Sequence, residues 1–96
     1  MKIKQIKPGQ IISIKTALRE VSNMVDAAHP FIIGEILQRD ITSLANLTIG
    51  EWKVLRNRFY PNWHKEDWSL DNEQKAIIAD LLEKYRETIL KQKRLF

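Results

Sequence analysis

The chain has 96 residues, a net charge of +4 and a pI near 9.5. It holds no cysteine, which excludes disulfides, thiolate metal sites and a cysteine nucleophile, and suits a cytoplasmic protein. Hydrophobic content of 44%, with three glycines and three prolines, predicts a single all-α domain spanning 1–96 with little material for turns. No apolar run is long enough to cross a membrane, and MKIKQIKPGQ lacks the apolar region of a signal peptide.

Residues 1–10 read as a basic arm or short strand, with Ile3 and Ile6 set among lysines. Pro8-Gly9 is a turn signal. A hairpin pairing 3–7 with 11–15 competes there with a helix from about Ile11, and the helix suits the following residues better. Ile14, Ala17, Leu18, Val21, Met24, Val25 and Ala28 recur at helical spacing, which predicts a helix over 11–28. His29-Pro30 ends it, because a residue before proline resists α geometry, and places His29 among the helix-end carbonyls. Pro30 then opens a short, apolar and deeply buried helix over 31–39, where Gly34 marks a close helix crossing. Asp40 is the expected cap of a third segment over 41–47.

Thr48-Ile49-Gly50-Glu51 is a capping box, so a fourth helix is predicted over 49–60, stopped by Pro61. Trp52, Leu55 and Phe59 form its apolar stripe, and Lys53, Arg56, Asn57 and Tyr60 lie on the adjoining polar face. A long loop over 61–70 carries Trp63 and Trp68. Asp71 and Gln74 form a second capping box for a last helix over 72–93. Its stripe is Ile77, Ile78, Leu81, Leu82, Tyr85 and Ile89, with Asp80–Lys84 and Glu87–Lys91 as exposed pairs. About five helices packed orthogonally are expected, the two long ones clamping Phe31–Leu37.

Charge is concentrated at the ends. Lys2, Lys4, Lys7, Lys15 and Arg19 precede any acid, and Lys84, Arg86, Lys91, Lys93 and Arg94 crowd the last residues against Glu87 alone. The segment 40–60 has a helix-turn-helix outline. In a major groove Arg56 would read guanine and Asn57 adenine, with Lys53 and Tyr60 on phosphate. Lys2, Lys4, Lys7, Lys91, Lys93 and Arg94 would hold the backbone. The late turn glycine and the bulky Trp52 depart from that outline, and a polar helix face also suits any helical bundle.

The leading expectation is a small non-enzymatic DNA-binding or nucleoprotein-associated protein. The alternative is a protein-interaction adaptor anchored by Trp63, Trp68, Leu95 and Phe96. The bland expectation for both tryptophans is that they fold beneath the loop and fill a corner between helices. The basic tail 91–96 reads by default as a solvated helix end. His64, Glu66 and Asp67 match no tetrahedral metal spacing. Ser13, Ser22, Ser43 and Ser69 have no suggestive histidine, and no glycine-rich phosphate loop occurs, so neither catalysis, a cofactor nor a small-molecule substrate is expected.

Overall fold

The computed structural model describes residues 4–94, with side chains over 4–92. Four α-helices appear among them: α1 (Pro8–Val21), α2 (Ala28–Leu37), α3 (Ile49–Phe59) and α4 (Asn72–Arg94). Single 3-10 turns stand at Leu44–Asn46 and Trp63–Lys65. The chain is therefore all-α, with four helices where about five were expected. None of the described helices is long and apolar enough to cross a membrane.

Pro8 opens α1 at its first position, where a missing N–H costs nothing. Helix wins over hairpin, and Gln10 Oε1 accepts from the Lys7 N–H at 2.9 Å to close the first turn. The arm pairs elsewhere. Ile6 N–H donates to Leu47 O at 3.0 Å, and Ile49 N–H donates to Lys4 O at 3.0 Å, around a bridge between Gln5 and Thr48. Ile6 is buried there, so the arm is stitched to the start of α3.

α1 stops at Val21, seven residues before the predicted end, and Ser22 is extended. Ser22 and Asn23 are weak helix formers, and the Met24 N–H donates to Ser22 O at 2.8 Å instead of continuing the helical ladder. Met24 and Ala28 are buried all the same, which is why their spacing imitated a continuing helix. His29-Pro30 does not terminate a helix but sits in the first turn of α2, where the absent proline N–H has no partner to lose.

Leu18, Ile32, Ile33, Leu47, Leu55 and Ile78 are fully buried, and Phe59 nearly so. Each such side chain contributes about 1.5–3 kcal/mol of transfer free energy. α1 packs on α3 and α4, and α2 packs mainly on α4. The apolar segment is thus held chiefly from the side of α4 rather than clamped equally by both long helices. Lys84 reaches across to Glu35 at 2.9 Å instead of pairing with Asp80, and Arg86 takes Glu83 at 2.6 Å. The 41–47 segment forms one 3-10 turn, capped by Ser43 rather than Asp40. Asp71 caps α4 through the Gln74 N–H at 3.2 Å, but the Gln74 carbonyl does not return the bond.

Gly34 serves the end of its own helix and not a helix crossing. Gln38 is left-handed at φ 60°, and the chain doubles back so that Arg39 N–H donates to Gly34 O at 3.1 Å. A Cβ on Gly34 would lie 2.8 Å from the Arg39 carbonyl oxygen, which is backbone and yields poorly. Gly34→Ala should therefore lower the free energy of urea unfolding by about 1–3 kcal/mol. Gly9→Ala meets nothing within 4 Å and should be neutral or stabilising by up to about 1 kcal/mol. Equal denaturation midpoints for the two variants would contradict the close approach.

Candidate interaction surface

α3 begins where the sequence predicts. Thr48 Oγ1 accepts from the Glu51 N–H at 3.1 Å, and Glu51 Oε1 accepts from the Thr48 N–H at 3.0 Å. Trp52 and Arg56 stand four residues apart, neighbours on one helix face. At Tyr60 the backbone leaves helical geometry with φ −126° and ψ 71°, and Pro61 follows.

The loop then folds back over α3. Trp63–Lys65 makes one 3-10 turn, and Glu66 ends it in the left-handed region at φ 59°. Asp67 N–H donates to Asn62 O at 3.3 Å, and Asp71 N–H donates to Phe59 O at 2.8 Å. Leu70 is buried, and Trp63, partly buried, packs against the core as expected of it.

The return brings Trp63 onto Arg56. The guanidinium carbon lies 3.7 Å from the Trp63 ring centre and 5.0 Å from that of Trp52, so indoles meet the cation on two sides. Each such contact is worth roughly 0.5–2 kcal/mol, depending on desolvation. Asn57 Oδ1 accepts from Trp63 Nε1 at 2.7 Å and from Arg56 Nε at 3.4 Å. Trp68 packs edge-on against Tyr60 at 5.4 Å and tilted against Trp63 at 6.2 Å. It remains 51% exposed, contrary to the expectation of a buried ring.

The predicted polar face is partly dismantled by these contacts. Tyr60 is buried, and burial pushes its phenol above the ordinary value. It turns inward because the chain is no longer helical at that residue. Arg56 is half-buried, with Asn57 bonded to it and to Trp63. Lys53 stays exposed, as do Lys4, Lys7 and Lys91. Lys2, Leu95 and Phe96 lie outside the described residues, as do the side chains of Lys93 and Arg94. Trp52, expected only in the apolar stripe, also lies under Arg56, a contact that the i, i+4 spacing of the two residues allows. His64 stacks edge-on against Trp63 at 5.9 Å. Among the described residues no three His, Asp or Glu side chains converge as metal ligands would.

His29 is the other group of chemical interest. It is fully buried, and neither ring nitrogen has a hydrogen-bond partner among the described residues. It is not a helix-end residue resting on carbonyls. Burial lowers its pKa below the ordinary histidine value, and Arg19 and Lys15 add to this. Asp26, with its carboxylate 4.0 Å from Nδ1, opposes the shift from an exposed position that Arg19 shares at 3.2 Å.

Comparison of the chain with protein families, with curated proteins and with solved structures found no match.

A histidine held neutral in the fold binds its proton more readily when unfolded. Its contribution is complete above the unfolded value near 6.5 and is lost as pH falls below it. Asp26 and Glu51, both with lowered pKa, lose their contributions only in the carboxylate range below. Unfolding free energy should therefore decline between pH 7 and 5, and His29→Leu should flatten that decline. The same slope in the variant would assign the effect to another group.

Proposed function

We propose that this chain is a non-enzymatic protein-interaction adaptor that docks a partner on the surface formed by Trp52, Arg56, Trp63 and Trp68. The observation that carries this reading is the stacked arginine beside an indole left half in solvent. Trp, Tyr and Arg concentrate at the centres of protein interfaces, where a rigid aromatic anchor loses little entropy on binding. The loop that presents Trp68 is tied at Phe59 and Asn62 and rests on the buried Leu70, so the anchor is already placed.

Direct reading of a major groove receives less support. It asks Arg56, Asn57 and Tyr60 to face bases, whereas one is stacked, one is bonded to Trp63 and one is buried. A 3-10 turn also stands where the first helix of a helix-turn-helix would lie. Exposed Lys4, Lys7, Lys53 and Lys91 keep a phosphate contribution open, so the experiment carries a DNA arm.

Immobilised chain should capture a defined partner from extracts of its source cells, and Trp68→Ala should abolish capture. Because Trp68 is half-exposed, that variant should keep its unfolding free energy within about 1 kcal/mol. Val54→Ala, a 51% exposed residue of α3 outside the cluster, should capture normally. Undiminished capture by Trp68→Ala would contradict the reading. So would tight binding to duplex DNA that falls steeply with salt.

A further inference from the structure

We propose that the partner segment is acidic, and that Arg56 is the receptor for one Asp or Glu carboxylate of it. This rests on the reading of the aromatic surface as a protein docking site and names the chemistry it selects.

The first ground is orientation. With indoles on two sides, the guanidinium plane is held before any ligand arrives, so little side-chain freedom remains to be lost on binding. The second is unmet hydrogen-bonding capacity. Arg19, Arg39 and Arg86 each find a carboxylate at 2.6–3.2 Å. Arg56 pairs with no acid among the described residues, and its one hydrogen bond is the long contact from Nε to Asn57. Its terminal N–H groups form a planar fork suited to two carboxylate oxygens. The site is half-buried, where a charge-assisted bond is stronger than in open water.

The third ground is the surrounding charge. Lys53 and Lys65 are exposed and form no ion pair among the described residues. Glu66 and Asp67 share the loop, yet neither pairs with Arg56, and the Asp67 carboxylate is occupied by Ser69. Trp68 adds an exposed apolar wall for a residue flanking the acid. A peptide suits this arrangement better than unpaired bases. Stacking of successive bases needs free ring faces, and Trp63 has one face on the guanidinium and its N–H on Asn57.

The test selects a display library of random short peptides on the immobilised full chain at physiological salt. Enriched peptides should share an Asp or Glu beside an aromatic or proline residue. Replacing that acid by its amide should weaken binding to the wild type by about tenfold or more. Arg56→Gln, shown folded by circular dichroism, should bind acid and amide forms alike. Arg56→Lys, which keeps the charge but not the fork, should lose most of the discrimination. The acid-to-amide change is made in the peptide, so that comparison does not depend on the stability of any protein variant. Enrichment without an acidic preference would overturn the carboxylate receptor and leave the docking surface standing. Full discrimination by Arg56→Gln would move the receptor to a neighbouring lysine and overturn the assignment. No enrichment above that of Trp68→Ala would sink both the receptor and the docking surface. Displacement of the peptides by a single-stranded oligonucleotide, in a salt-dependent manner, would make the ligand a phosphate.

Discussion

One carboxylate holds the start of α3. Glu51 accepts from the Thr48 N–H at 3.0 Å and from Nε and Nη2 of Arg39 at 2.6 and 2.8 Å. The same Arg39 donates to Asn46 O at 3.0 Å. A single acid thus ties the chain leaving α2 to the helix that carries Trp52 and Arg56. Hydrogen bonding from Arg39 holds the Glu51 carboxyl below its ordinary range. The group is partly exposed, so solvent screening keeps its worth to about the kcal/mol of a good helix cap. The N-terminal arm joins at the same place through Leu47 and Ile49. Long separations along the chain meet here, which sets the placement of α3.

Once α3 is placed, its far end decides the surface. The helix stops at Phe59, the loop turns through Glu66, and Asp71 bonds back to Phe59. That closure lays Trp63 on Arg56 and leaves Trp68 at the rim. An indole half in water stands one ring away from a half-buried guanidinium that pairs with no acid among the described residues. A bound partner would cover the ring and match the charge, and the interaction reading rests on that physical contrast.

Much of this architecture was legible because it is local. The Thr48 and Asp71 caps, Pro30 in the first turn of α2 and the stripes of α3 and α4 depend on residues within a turn of one another, whereas Pro8, expected as a turn before a helix from Ile11, itself opens α1. What failed depended on where the chain goes next. Met24 and Ala28 keep helical phase across a break after Val21, so periodicity alone could not reveal the break. The segment 41–47 is too short to hold a helix without tertiary support, and it forms a single tight turn. A rotation of 100° per residue places Tyr60 on the polar face, but at that residue the backbone is no longer helical. Of the site, the Trp52–Arg56 spacing was readable. The meeting of Arg56 with Trp63 was not, since it depends on a glutamate taking a left-handed conformation that sequence does not announce.

A double-mutant cycle on Arg56 and Trp63 probes the stacked pair most directly. Unfolding free energies of the wild type, Arg56→Ala, Trp63→Ala and the double variant would be measured by chemical denaturation. A coupling of about 0.5–2 kcal/mol is expected, the scale of a partly desolvated cation–π contact. Additive effects, with no coupling beyond error, would mean that the loop does not rest on the arginine in solution, and the docking surface would lose its foundation.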